Sequence, residues 1–224
     1  MMNTNTSISL KKESELSGDE IIAHVVGVTN KMVYGDIPEN IKQDFLVMDA
    51  GKKSFIIPQN NNGAVEYFVS LPLNKTETRL KTPLGTNKVI KNAVKEVYKN
   101  LENLAAVAKV HPLLLNGMDI DQQIVKEFTA NAYQRTTFNQ SKQETPKLES
   151  LLMSDKNETT LNSAYSLQEC INFAKNLTSL PRNKLHPEDL AAVAIELAKQ
   201  HDSIEVEVIE DVKKEGLNLV YAVG

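Results

Sequence analysis

The chain has 224 residues and a net charge of −4; 41% of its residues are hydrophobic and 24% are charged. That apolar fraction is sufficient for a packed core, so the composition excludes an intrinsically disordered chain. No run of lysine or arginine is longer than two residues, which argues against the clustered positive surface that binds nucleic acid.

The cysteine count and the apolar runs exclude further classes. Cys170 is the single cysteine, so neither a disulfide framework nor a thiolate metal cage is predicted. Residues 1–12 contain no apolar signal-peptide core, and no stretch approaches the roughly 20 apolar residues of a membrane span. We therefore predict a cytoplasmic protein with no membrane partner.

Strand-like and helix-like patterns alternate along the chain. Apolar runs and period-two alternation predict strands, at residues 8–12, 20–29, 53–58, 65–71, 104–110 and 148–153. Apolar residues spaced by three and four predict helices, at residues 38–48, 86–101, 118–132, 166–177 and 187–201. This alternation predicts an α/β fold with a mixed, mainly parallel sheet flanked by helices.

Local signals sharpen several boundaries. The Asn-Asn-Asn-Gly sequence at residues 60–63 favours a tight turn, so residues 53–71 are predicted to form a hairpin. Pro58 is expected to end the first strand of that hairpin. Thr86 is expected to cap the long helix that follows it. His111 and Pro112 are interpreted as a turn after the strand at residues 104–110.

A polar stretch at residues 154–164 is interpreted as a linker into the next helix. We therefore predict three parts: an N-terminal α/β domain at residues 1–155, a linker and connecting helix at 156–178, and a second α/β domain that begins at 179. After the helix at 187–201, the sequence predicts an alternating strand, a polar turn and a second apolar strand ending at Gly224. The second domain is thus expected to be incomplete, because a further crossover should follow that strand.

No catalytic constellation is predicted from the residues themselves. The histidines are interpreted as a hydrogen-bonded core residue, turn residues and a helix-terminal cation, namely His24, His111, His186 and His201. Asp119 and Asp121 suit a helix start, and Cys170 suits a packed helix position. In the strand predicted after the helix at residues 187–201, acidic side chains alternate with apolar ones and are interpreted as its solvent-exposed face. These are Glu205, Glu207 and Glu210. We assign no catalytic, cofactor-binding or metal-binding residue.

Three passages near the end of the chain carry a family resemblance. Residues 174–183 read AKNLTSLPRN, residues 185–191 read LHPEDLA, and residues 215–224 read EGLNLVYAVG. They resemble the leucyl aminopeptidase family of two-metal exopeptidases, at the passage into its catalytic domain and at the first core strands of that domain. Residues 130–143 and 146–154 are more loosely similar to the end of its N-terminal domain, which itself resembles macro domains.

This resemblance implies a hydrolase that uses two Mn²⁺ or Zn²⁺ ions to release N-terminal amino acids from peptides, assembled as a hexamer. The two metal-binding segments of the family do not occur in this chain. We therefore expect a leucyl aminopeptidase-like protein whose residues 1–224 bind no metal and are inactive alone. The alternative is a non-catalytic assembly or binding module, with macro-domain-like binding of a nucleotide or ADP-ribose. The sequence downstream of Gly224 is expected to distinguish the two.

Overall fold

The computed structural model describes residues 8–12, 15, 20–61, 64–73, 83–105, 110–114, 121–133, 148, 150–153 and 158–223. The chain divides into two compact units, Met1–Asn176 and Leu177–Gly224. Among the helices of the described part, none combines the length and apolar composition that a membrane crossing needs.

The first unit is built on a six-stranded sheet. Its strands are β1 (Ser9–Lys12), β2 (Ile21–Val28), β3 (Ile56–Asn61), β4 (Ala64–Pro72), β5 (Val110–Leu114) and β6 (Ser150–Met153). Their order across the sheet is β1-β6-β5-β2-β4-β3. Strand β3 is antiparallel to β4, and the other four pairings are parallel. The predicted α/β class with a mainly parallel sheet is confirmed.

Four helices accompany this sheet, and two lie in the second unit. They are α1 (Glu39–Val47), α2 (Pro83–Ala105), α3 (Asp121–Ala132), α4 (Glu158–Ser179), α5 (Pro187–Gln200) and α6 (Asn218–Val223). The division between the units falls within the last turn of α4.

The two faces of the sheet carry separate cores, because successive side chains of a strand point in opposite directions. Ala23 and Val25 of β2 belong to the larger core, which buries apolar side chains of α2, α3 and α4. Val26 and Val28 belong to the smaller core, which contains Phe45 and other residues of α1 and its flanking loops. Helix α1 therefore covers the face opposite the other three helices.

The periodic patterns located most of these elements correctly. The stripe predicted for α2 is buried as expected, at Val89, Ile90, Ala93, Val94, Val97 and Leu101. The predicted hairpin is confirmed by the antiparallel pairing of β3 with β4. Its turn at residues 62–63 lies outside the described residues.

Two predicted boundaries are wrong. Pro58 does not end its strand but lies inside β3, opposite Tyr67. Strand β3 is at the edge of the sheet, where a residue without an N–H does not interrupt a second ladder. Helix α2 begins at Pro83, ahead of the cap predicted at Thr86, because proline suits the first turn of a helix.

The start of the strand predicted at residues 104–110 is wrong too, and residues 106–109 lie outside the described residues. Leu104 and Ala105 form the end of α2, as the alanine content favours. Strand β5 instead begins at Val110 and includes His111 and Pro112, which pair with Ile22 and Ala23. His111 is therefore a strand residue and not part of a turn.

Helix α4 begins at Glu158, within the predicted linker. Leu161, Ala164, Gln168 and Asn172 are its buried residues, and their spacing of three and four places them on one face. The polar residues between them turn outward, which explains why the segment resembled a linker. The predicted domain limits at 155, 156, 178 and 179 stay predictions.

The described part of the second unit, residues 177–223, does not contain the two predicted strands. Residues 203–209 have no regular secondary structure, and residues 218–223 form α6. A strand requires a neighbour for its N–H and C=O groups, and the described part of this unit supplies none. A helical turn satisfies these groups locally, as in the hydrogen bond from the Tyr221 N–H to the Leu217 carbonyl at 3.0 Å.

Candidate functional site

The topology of the first unit identifies one edge where a ligand site is expected. Strands β2 and β5 are parallel neighbours, yet α1 follows β2 on one face and α3 follows β5 on the other. The chain therefore leaves the carboxyl ends of these two strands in opposite directions. In open α/β sheets, ligands bind in the crevice at such a switch point.

The β2–α1 loop forms the described wall of this edge. The Thr29 hydroxyl donates to the Met32 carbonyl at 3.2 Å and accepts from the Met32 N–H at 3.1 Å. The Tyr34 N–H donates to the Gly27 carbonyl at 2.9 Å, so the loop folds back over the end of β2. Thr29 is buried in this turn, whereas Asn30 and Lys31 are exposed. These two exposed side chains are the ones that a ligand at this edge would meet first.

His24 lies away from this edge, in the middle of β2. Its ring stacks on Phe68 with a centroid distance of 4.8 Å and an interplanar angle of 19°. Its Nε2 lies 3.5 Å from Glu66 Oε2, a pair that is ionic only when the ring is protonated. With 14% of its side chain exposed, His24 is largely buried within the sheet, and the hydrogen bond predicted for it stays a prediction.

The histidines of the second unit have terminal roles at α5. His186 is the N-cap residue, and its N–H donates to Asp189 Oδ2 at 2.8 Å. His201 is the C-cap residue of the same helix and is exposed. Both positions agree with the loop and helix-end roles predicted for these residues.

The carboxylates do not form a metal site in the part of the chain that is described. Asp121 is 5% exposed in the first turn of α3, whereas Glu205, Glu207 and Glu210 are exposed and lie outside any strand. Among the described residues, no three His, Cys, Asp or Glu side chains are grouped so that they could hold a metal ion. These residues do not fit a two-metal centre, so we derive no chemistry through one.

Cys170 is exposed on α4. The predicted packed position is therefore wrong. The buried face of α4 is formed by Leu161, Ala164, Gln168 and Asn172, and Cys170 lies between the last two along the chain but points away from that face. Sequence spacing alone did not reveal it, because the polar Gln168 and Asn172 occupy the buried positions.

Comparison with known structures gives a likeness at the level of the fold. A structure described as the bottromycin maturation enzyme BotP in complex with Mn matches with a TM-score of 0.52 and 14% identity. A second structure of BotP matches with a TM-score of 0.49 and 15% identity. Both matches cover 82% of this chain, but only 37% and 38% of the BotP chains. This chain therefore spans well under half the length of the enzyme it resembles.

These comparisons contradict the assignment to the leucyl aminopeptidase family. No family model matches the chain, and the matching structures are named for bottromycin maturation. The structure also departs from the motif interpretation, because residues 218–223 form α6 where the motif predicted a core strand. The assignment is corrected to a fold-level likeness.

Proposed function

We propose that this chain is a non-catalytic α/β module of a larger, metal-dependent enzyme. The observation that carries this proposal is the structural match, which covers 82% of this chain but 37% of an enzyme chain in complex with Mn. A fold that corresponds to a minority of an enzyme's length is expected to supply one of its domains. The metal centre and the reacting groups then belong to the remainder of the enzyme.

The finer part of the proposal concerns the reaction. We propose that the enzyme releases N-terminal amino acids from peptides with Mn²⁺ or Zn²⁺, since such ions activate water and polarise a peptide carbonyl. The module described here contributes to assembly, for which a homo-oligomer, and specifically a hexamer, is the predicted form. We also propose that the second α/β domain is incomplete in this chain, as the sequence predicts.

The test compares two polypeptides in one assay. A longer polypeptide that contains this chain and the metal-binding remainder is expected to release leucine from a leucyl peptide when Mn²⁺ is added, and to lose this activity with a chelator. Residues 1–224 alone are expected to release none. Release by the isolated chain would contradict the non-catalytic role. If the longer polypeptide releases no leucine with either Mn²⁺ or Zn²⁺, the proposed enzymatic activity is contradicted.

A second candidate function is supported by the switch point between β2 and β5. A macro-domain-like module would bind a nucleotide-type ligand there, with Asn30 and Lys31 exposed beside the carboxyl end of β2. Calorimetric titration with ADP-ribose is expected to show saturable binding that Asn30→Ala and Lys31→Ala weaken, whereas Lys199→Ala on α5 leaves it unchanged. Absence of saturable binding would eliminate this candidate.

A further inference from the structure

Residues 203–209 of the second unit have the composition of a β-strand but no strand neighbour. Ile204, Val206 and Val208 alternate with Glu205 and Glu207, which is the period-two pattern of a strand with one apolar and one acidic face. The structure assigns them no regular secondary structure. The sequence pattern therefore predicts a strand that the structure does not form. Among the described residues, no neighbouring strand is present to pair with it.

The backbone of this segment is available for pairing. At its start, the Ile204 N–H donates to the His201 carbonyl at 3.0 Å. At its end, Asp211 accepts from the Lys214 N–H at 3.0 Å and from the Glu215 N–H at 3.2 Å. Between these two turns, the N–H and C=O groups of residues 205–210 form no hydrogen bond with any described residue. Such a row of open groups is a template for an added strand.

The apolar side chains of the segment are exposed as well. Ile204 is 40% exposed, Val206 36% and Val208 47%. Helix α5, the longest element that lies wholly within this unit, has no buried residue. Covering this face would remove apolar surface from water, which favours association.

The charge of the segment selects the kind of partner. Residues 202–211 contain five acidic side chains and no basic one, namely Asp202, Glu205, Glu207, Glu210 and Asp211. A second copy of this segment would place carboxylates opposite carboxylates, which destabilises a pair of strands. Lysine or arginine at the corresponding positions would give favourable cross-strand pairs.

We propose that residues 203–209 form a docking strand that pairs, edge to edge, with an extended partner segment whose alternate side chains are basic and apolar. The partner supplies the missing backbone hydrogen bonds, covers the apolar face and neutralises the acidic face. The observations behind this proposal come from the second unit alone, and its test is separate from the activity assay above.

The experiment measures the binding of two labelled peptides to the full chain by fluorescence anisotropy. One peptide alternates valine with lysine, and the other alternates valine with glutamate. The chain is expected to bind the lysine peptide at least tenfold more tightly than the glutamate peptide. On binding, amide hydrogen exchange at residues 205–209 is expected to slow.

Three variants separate strand pairing from general attraction. The double variant Glu205→Lys/Glu207→Lys is expected to reverse the preference between the peptides. The matched control Glu196→Lys/Glu215→Lys changes the net charge equally and is expected to keep the preference of the original chain. Val206→Pro removes a backbone donor without burying a new group and is expected to weaken binding of the lysine peptide at least tenfold.

The following results would overturn the proposal: no saturable binding of the lysine peptide, an unchanged preference after the Glu205 and Glu207 reversal, or an equal effect of the control pair. Undiminished binding of the lysine peptide by Val206→Pro would also overturn it, since binding would then not require the backbone N–H of residue 206. Sedimentation showing a dimer that Val206→Pro abolishes would assign the segment to a second copy of the chain instead.

Discussion

At the scale of single residues, a buried polar contact joins α3 to α4. Asn172 is fully buried; its Oδ1 accepts from Gln168 Nε2 at 3.0 Å, and its Nδ2 donates to the Thr129 carbonyl at 3.4 Å. The Thr129 hydroxyl in turn donates to the Val125 carbonyl at 2.9 Å. Buried amides of this kind fix the relative position of two helices, because any shift leaves a polar group without a partner.

Asn172→Ala is therefore expected to destabilise the protein by about 1–3 kcal/mol, since it removes the acceptor of the buried Gln168 amide. Urea unfolding followed by circular dichroism measures the change. Ser163→Ala on the same helix is the matched control, because the Ser163 hydroxyl contacts the Thr159 carbonyl at an exposed position. Equal stability of the two variants would contradict the role of the buried contact.

Two tyrosines make the stability of this fold sensitive to alkaline pH. Burial raises the pKa of Tyr98 above its ordinary range, and the negative charge of Glu102 raises it further. Burial, followed by the charge of Glu169, also raises the pKa of Tyr165. The Tyr165 hydroxyl donates to the Ile8 carbonyl at 3.0 Å and so joins α4 to the residue before β1.

The direction of the pH effect follows from proton binding. An unfolded tyrosine loses its proton near pH ~10, whereas the folded protein retains it. The folded state then binds more protons, so the free energy of unfolding is expected to fall as the pH rises above ~10. Tyr98→Phe is expected to make this decline shallower.

Urea unfolding at about pH 8 and about pH 11 checks this prediction. The control is Tyr221→Phe, since the Tyr221 side chain is 56% exposed. A Tyr98→Phe variant that loses stability between these pH values as steeply as the Tyr221→Phe control would contradict the prediction.

At the scale of elements, α1 depends on the small core that it forms alone against one face of the sheet. Phe45 is fully buried there, together with Ile41, Val26 and Val28. Phe45→Ala is expected to destabilise the protein by about 3–5 kcal/mol, because it removes apolar burial and leaves a cavity. Val47→Ala in the same helix is expected to change little, since Val47 is 85% exposed. Thermal unfolding of both variants measures the difference.

Elements with a strong local pattern could be predicted from the sequence. The apolar stripe of α2 and the β-branched run of β2 are examples, because their own spacing determines which face is buried. Elements that depend on a neighbour could not. Pro58 is tolerated because β3 is at an edge, and residues 203–209 remain outside a strand because no described residue of their unit pairs with them.

The candidate site was harder to predict than the fold, for a related reason. A switch point is a property of strand order. The sequence alone does not show that β2 and β5 are neighbours in the sheet. Asn30 and Lys31 carry no motif that marks them. The structural role of His24 could be predicted, because its place within an apolar strand is a local feature.

At the scale of the whole molecule, the proposed role is that of a module that helps to assemble an enzyme without performing its chemistry. The structural likeness spans most of this chain and a minority of a Mn-bound enzyme. The described residues contain no grouping fit for a metal. A two-metal centre needs several carboxylates held together, and under the proposal its ligands belong to the remainder of the larger enzyme.

The most direct test of this central claim is a calorimetric titration of residues 1–224 with Mn²⁺, repeated with Zn²⁺. Neither ion is expected to bind residues 1–224 stoichiometrically. Tight binding of one or two ions per chain would contradict it, because the chain would then carry the metal centre itself.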